Sequence, residues 1–408
     1  MKVLLAHRFF PGQFVHVAGA LAADSANEVV FLHERRHGEP EIPGVSALRI
    51  GSGASNHPEA HPYLRRLAEQ VERGERAYRA CATLRERGFV PDVMYAHAGS
   101  GPGLYLRDAF PEAPLLGYFE WYFGGLGSEL DFTEPEAVTA EELLCRHTTN
   151  ACALLELIQC EAGISATAFQ RDQFPAELRR KLTVLHDGVD VAYFGRSDAA
   201  SPDHTPAAGL PEGAEIVTYA ARGLEPYRGF PEFMEAMALL LDRRPRLQVL
   251  IAGRDHAYYS RQLPEGRTYR QAALERFPCL DTPRVRFLGH LPKDQWRALL
   301  HASSVHVYLT VPFVLSWSLI DAMAAGCTIV ASDTAPVREV LSDGVSALLV
   351  DFHSPAEIAS GIERALDDRS AAAHLAASAR LVAEQRFALS RVLPAQLELL
   401  RSFARAAG

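Results

Sequence analysis

Short apolar runs alternate along this chain with longer stretches in which apolar positions recur every three or four residues. In the first half, Lys2–Ala6 and Glu28–Leu32 read as strands with a helix over Phe14–Ala23 between them. A long helix over Tyr63–Gly88 follows, then strands at Pro91–Ala96, Pro114–Gly117 and Leu182–His186. A stretch rich in Pro, Ala and Ser separates this series from a second one, with strands at Ile216–Ala220, Leu247–Ala252, Val285–Leu288, Val305–Leu309, Thr328–Ala331 and Ala347–Val350. Ala-, Leu- and Arg-rich helices run from Ala356 onward. Near-continuous apolar strands separated by amphipathic helices predict parallel sheets covered on both faces. The expectation is an α/β chain of two Rossmann-like, doubly wound parallel-sheet domains facing a cleft. The first domain is set at 1–196 and completed by a C-terminal helix at 385–408, the linker at 197–213, and the second domain at 214–384.

The segment Phe313–Asp333 carries the most information. Ile320, Met323 and Ala324 give a helix an apolar stripe, Gly326 suits a left-handed stop, and Cys327–Ala331 suits a buried strand. Asp321 sits on that helix beside the carboxyl ends of the strands, where open α/β sheets bind ligands. With Ala322, Met323 and Ala324 burying the helix, an unpaired carboxylate is costly, which favours a ligand-facing role over an exposed helical acid. Arg222 and Arg228 follow a strand and enter a helix, so they can clamp a diphosphate with forked hydrogen bonds; otherwise they are solvated loop arginines. Gly12 and Gln13 lie at the first strand-to-helix turn, where backbone N–H groups can approach a phosphate. Gly253 and Arg254 stand at another strand end. In the first half, His97 ends a strand, placed to bind a hydroxyl or to serve only local backbone. Glu120, Trp121 and Tyr122 follow the next strand, as an acceptor platform or a buried aromatic loop.

Composition narrows the classes. A chain of 408 residues exceeds one ordinary core. Its formal net charge of -9 argues against nucleic acid as the main partner. The N-terminus lacks the apolar core of a secretory signal, and no apolar run reaches membrane-spanning length. The 6 cysteines are scattered without a Cys-x-x-Cys pair, which fits reduced thiols of a cytoplasmic protein. No Asp-x-Asp triplet offers a cation clamp, so no metal or other cofactor is expected. Arg65, Arg66, Arg73 and Arg76 interleave with Glu69, Glu72 and Glu75 on the long helix. A salt-bridged face is the better reading there, with peripheral membrane contact at most. Monomer and homodimer both remain open.

The Asp321 segment, with Ala-Met-Ala-x-Gly behind the acid, resembles the donor-site signature of the retaining glycosyltransferases of family 4, which have the GT-B fold. Arg222-Gly-Leu with Arg228-Gly resembles that family's Gly-Arg-Leu…Lys-Gly, and Leu185–Asp190 resembles its Asn-Gly-Val-Asp turn. The resemblance implies transfer of a sugar from a nucleoside diphosphate, as co-substrate, to an unidentified acceptor hydroxyl. It implies the leaving diphosphate on Arg222 and Arg228, the ribose on Asp321, the base near Leu288 and Leu291, and Gly253 with Arg254 near the base and phosphate of the donor. Sugar hydroxyls would meet the backbone of Val314, Leu315, Ser316 and Trp317. The chain departs from the family where Phe313 takes the place of a glutamate on the loop and Ser316 that of a glycine. Two alternatives share the fold: a nucleotide-sugar epimerase and a non-catalytic nucleotide-binding module. An NAD-dependent oxidoreductase is disfavoured, because no Gly-x-Gly-x-x-Gly follows the first strand.

Overall fold

The computed structural model describes residues 1–36, 41–53, 57–195 and 206–404. These fall into two compact units. The first comprises Met1–Leu130, Glu136–Gly188 and the chain from Leu389 onward; the second comprises Asp131–Pro135 and Val189–Ala388.

The first unit is built on seven parallel strands: β1 (Lys2–Phe10), β2 (Glu28–Arg36), β3 (Val45–Arg49), β4 (Val93–His97), β5 (Leu115–Tyr118), β6 (Ala162–Ser165) and β7 (Leu182–Val184), ordered β3-β2-β1-β4-β5-β6-β7. Leu4 lies opposite Val30 on one side and Met94 on the other. The strand order reverses direction between β1 and β4, so the crevice at their carboxyl ends is the topological switch point of this sheet. Two strands escape the hydrophobic pattern. β3 is a half-exposed edge strand, and β6 is the short sequence Ala-Gly-Ile-Ser. The Arg65–Glu86 helix covers one face, and the Leu389–Phe403 helix returns to the other, where Leu400 is fully buried beside Val17 and Leu21.

The second unit has six parallel strands: β8 (Glu215–Gly223), β9 (Leu247–Arg254), β10 (Val285–Gly289), β11 (Val305–Tyr308), β12 (Ile329–Ser332) and β13 (Leu348–Val350), ordered β10-β9-β8-β11-β12-β13. Its switch point lies between β8 and β11. The helix Trp317–Ala324 buries Leu319, Ile320, Met323 and Ala324 and is stopped at Gly326, whose φ of 72° only glycine adopts without strain.

The first sheet's contribution from the body of the chain ends at Gly188, so residues 189–195 lie with the second unit rather than the first. Of the linker region 197–213, residues 197–205 lie outside the described residues. Ala207 and Leu210 beyond them pack against the second unit's core around Leu250, Ala252 and Leu299.

Candidate functional site

In the second unit, β8 delivers Arg222, Glu225 and Arg228 to the switch point. Glu225 is fully buried, and its Oε2 accepts the backbone N–H groups of Tyr258, Tyr259 and Ser260 at 2.8–3.0 Å. One carboxylate therefore fixes the loop after β9 against the turn carrying both arginines. Arg222 is exposed and stacks at 4.2 Å from the centroid of Tyr258. Arg228 is buried, and its Nη1 donates to Thr310 Oγ1 at 2.7 Å and to the Val314 carbonyl at 3.1 Å. Its guanidinium lies 6.0 Å from the ring centroid of Tyr259 and 5.8 Å from that of Phe313. A charge held by two neutral oxygens and two ring edges or faces keeps its remaining N–H groups for an anion. Gly229, at φ 62°, starts the following helix, and a Cβ there would meet Leu309 at 2.5 Å.

Phe313 is 3% exposed and packs edge-on against Tyr227 and Tyr259, with centroids at 5.5 and 5.0 Å. It is a core ring. The loop backbone is partly committed as well. Ser316 N–H donates to the Tyr308 hydroxyl at 2.9 Å, and Ser316 Oγ caps the Trp317–Ala324 helix through Ser318 N–H. The Ser316 N–H expected to reach a ligand is therefore used inside the protein, and so is its hydroxyl. Leu315 is buried, whereas Trp317 is 43% exposed.

Asp321 faces Trp296, whose Nε1–H donates to Oδ2 at 3.0 Å. Burial pushes its carboxyl up to about 7, opposed by the Trp296 bond and by Lys293. One protein donor is too few for a desolvated carboxylate, so the oxygen set retains capacity for ligand hydroxyls. Leu288, Leu291 and Trp296 pack together above Leu250, Ala252 and Leu299, forming an apolar wall beside it. Gly253, the last but one residue of β9, has φ 153°, and a Cβ there would lie 2.7 Å from the Ala221 carbonyl. Arg254 is exposed, and its carbonyl accepts Leu224 N–H at 3.0 Å.

In the first unit, β1, β4 and β5 deliver His7, His97 and Glu120 to the switch point. Phe9 N–H donates to His7 Nδ1 at 2.8 Å, which makes Nε2 the protonated nitrogen of a neutral ring. His7 Nε2 then meets Gln13 Oε1 at 2.7 Å, and Gln13 Nε2 donates to Glu120 Oε1 at 3.0 Å. The His97 ring stands 4.5 Å from that of His7, and its Nε2 lies 3.6 Å from Glu120 Oε2. Both His97 ring nitrogens are shielded by protein and lack a hydrogen bond. The imidazole is thus held next to a carboxylate with its polar atoms uncommitted.

Gly12 gains a steric reason: at φ 52° a Cβ would land 2.4 Å from His7 Cε1. The acceptor platform is corrected in part. Trp121 is buried against Phe169 and offers no open stacking face, while Tyr122 is half-buried and packs on Phe174. Glu120 presents its side chain beside His97 and Gln13, with its carbonyl fixed by Gln170 Nε2 at 2.9 Å. The Leu185–Asp190 turn is structural: Gly188 sits at φ 91°, and Asp190 caps Ala192 and Tyr193. His7, Glu225, Thr310 and Trp296 were not singled out from sequence. Glu225 carried a signal, an acid between two arginines that a simple cation clamp does not need. His7 carried none, because its role depends on a contact made by Gln13 after the turn.

Two doubly wound Rossmann-like units, each with polar residues gathered at its switch point, define the GT-B class. The model described as "Glycosyl transferase family 4 group" matches residues 25–194, and "Glycosyl transferases group 1" matches residues 201–382. The chain belongs to the group 1, family 4 glycosyltransferases. It is 32% identical over 194 residues to D-inositol 3-phosphate glycosyltransferase of Corynebacterium efficiens, covering 46% of this chain and 43% of that one. It is 30% identical over 189 residues to phosphatidyl-myo-inositol mannosyltransferase of Mycobacterium tuberculosis, covering 45% and 44%. The match thus spans less than half the length of these curated relatives. Its fold is shared with Anabaena HepE in complex with UDP-glucose (TM-score 0.72, 17% identity, 98% and 100% covered). It is also shared with sucrose-phosphate synthase from Thermosynechococcus elongatus (0.73, 19%, 98% of each).

Proposed function

We propose that the protein is a retaining glycosyltransferase that moves a sugar from a nucleoside diphosphate to an acceptor hydroxyl. The observation that carries this reading is Arg228: a buried guanidinium, anchored by Thr310 and Val314, at the switch point of the second sheet. There it stabilises the charge that develops on the departing diphosphate, with Arg222 adding a more exposed cation. Asp321 binds the ribose hydroxyls, and the wall of Leu288, Leu291 and Trp296 receives the base. Arginine charge takes the part that a divalent cation plays in other transferases. In the first unit, Glu120 binds the acceptor hydroxyl and orients it for attack, and His97, its Nε2 3.6 Å from that carboxylate, holds Glu120 for the task. The departing phosphate takes the hydroxyl proton, so the protein needs no strong base. The names of the relatives support an acceptor of the phosphorylated cyclitol kind. Among the described residues no helix is long and apolar enough to cross a membrane. The six cysteines form no disulfide among the described residues, which supports a reducing, cytoplasmic setting.

The test is a calorimetric and thermal-shift screen of UDP, GDP, ADP and dTDP against the native chain, Arg228→Ala and Asp321→Ala. One nucleotide that stabilises the native protein and fails on both variants supports the donor site. Equal binding by Arg228→Ala would sink it. Detection of an epimerised donor without acceptor would favour the epimerase instead.

A further inference from the structure

The turn that follows β4 begins at His97, and side chains from two helices hold it. Pairing with β5 ends at Ala98, whose N–H donates to the Tyr118 carbonyl at 2.9 Å. Gly99 N–H then donates to Glu156 Oε2, on the helix Ala151–Gln159. From the long helix, Gln70 Nε2 donates to the Gly99 carbonyl at 2.8 Å and Arg73 Nη1 to the Ser100 carbonyl at 2.5 Å. Ser100 Oγ closes the turn on the His97 carbonyl at 3.1 Å. The fit is close: a Cβ on Gly101, at φ 104°, would meet the Gln70 carbonyl at 2.4 Å.

Glu156 is the member of this set that packing alone does not require. It is 2% exposed, and its Oε1 is enclosed by protein without a hydrogen bond. A Cβ on Gly103 would meet that oxygen at 2.7 Å, so glycine leaves the room the carboxyl occupies. Burial pushes its carboxyl up to about 7, opposed by the Gly99 bond, by His97 and by Cys152. The other titratable groups around it are quiet. Burial pushes the thiols of Cys152, on its own helix, and Cys160, just beyond, upward, so both stay neutral. Arg73, from the long helix, is paired with Glu34 at 2.8 Å. An apolar side chain in place of Glu156 would avoid the desolvation cost and would leave Gly99 N–H unpaired.

We propose that Glu156 is a positioning residue for the acceptor end of the transfer: through Gly99 it fixes the turn that seats His97 beside Glu120, and its proton sets the charge behind that imidazole. The proposal rests on the reading that Glu120 and His97 serve the acceptor. Glu156 acts on the turn, the turn on His97, and His97 on Glu120, whose Oε2 lies 3.6 Å from the His97 Nε2. Ionised, Glu156 accepts Gly99 N–H more strongly and favours positive charge on His97; protonated, it does both more weakly.

The test is NMR of the full chain, isotope-labelled in glycine amides and histidine rings, as a function of pH. The His97 ring signal is assigned by its loss in His97→Gln. The expected result is a Gly99 amide signal that shifts with a midpoint near pH 7, keeps that shift in His97→Gln and loses it in Glu156→Gln. Glu156→Gln retains an oxygen for Gly99 N–H. Its His97 ring signal should therefore coincide with the native one at low pH, where native Glu156 is also neutral, and depart from it once Glu156 ionises. Glu156→Leu, which has no acceptor, should displace the His97 signal at every pH. A Gly99 signal that titrates alike in Glu156→Gln and native protein, or a His97 signal that Glu156→Leu leaves in place, overturns the proposal. Should Glu156→Leu fail to fold, Glu156→Gln decides: a His97 signal that matches the native one at both pH extremes overturns it. The signals need neither donor nor acceptor. Unchanged turnover in His97→Ala would remove the acceptor reading, and the spectra would still decide what Glu156 holds.

Discussion

Asp321 is a carboxyl whose surroundings resist its charge, and that makes its energetics pH-dependent. Its folded pKa of about 7 lies above its ordinary value of 3.8. As pH rises from about 4 to 7 the unfolded chain releases this proton while the folded one retains it, so stability falls across that window and then levels. Asp321→Asn, which can still accept from Trp296 Nε1, removes the penalty. The variant is expected to gain on the order of 2 kcal/mol at pH 8 relative to native, and little at pH 4, by urea denaturation. Nucleotide affinity, if measured in parallel, should fall at every pH. Gly12 offers a second test. Gly12→Ala forces a Cβ into the His7 ring at a left-handed φ and should cost about 1–3 kcal/mol. Adding His7→Ala should recover only part of that loss, since the backbone strain remains. His97→Ala is expected to lower turnover about a hundredfold and leave nucleotide affinity unchanged, because His97 belongs to the first unit. At this scale the sequence was readable where a residue type has one good use. An Asp on a buried helix and an Arg beside a strand end are such cases. It was silent where the role is relational. Trp121 was as plausible on the surface as in the core until Phe169 was placed beside it, and Ser316 is spent on Tyr308 and on its own helix.

Elements were legible in proportion to their apolar burial. β1, β8 and β9, buried on both faces, announce themselves as runs such as Val-Leu-Leu-Ala and Leu-Gln-Val-Leu-Ile-Ala. β6 does not, because its small residues exist to admit a neighbour. A Cβ on Gly163 would stand 2.7 Å from the Phe119 ring and 2.6 Å from Leu182, and one on Gly117 would stand 2.3 Å from the same ring. The aromatic ring after β5 thus folds back across two strands, and glycine is what the sheet contributes to the fit. Gly163→Ala is accordingly expected to lower the first unit's stability by about 1–3 kcal/mol in thermal denaturation, with Phe119→Leu restoring part of it. β3 was hidden for the opposite reason: an edge strand with half its residues in water carries a weak pattern. The helix Ala140–Thr149 went unread, although its start was open to reading. Thr139 and Glu142 cap each other's backbone at the helix Ala140–Thr149, the Ser/Thr-x-x-Glu box that a sequence displays openly.

The molecule's two sheets could be counted from alternation alone, but the ownership of the chain ends could only be anticipated. Leu389–Phe403 packs on the first unit, where Leu400 is wholly buried and Gln396 Nε2 donates to the His186 carbonyl at 2.7 Å. Removing residues 389–408 should lower the melting temperature of the first unit while leaving nucleotide binding by the second intact. Loss of both together would show that the second unit also depends on that helix. The same arrangement bears on synthesis. The ribosome releases the first sheet early, yet a helix that covers one face of it is encoded about 200 residues later, after the entire second unit. At roughly 5–20 residues per second, that face waits about 10–40 s for its cover. Val17 and Leu21 stay reachable by chaperones for that interval, and the second unit, whose sequence is nearly continuous, can close before the first is finished.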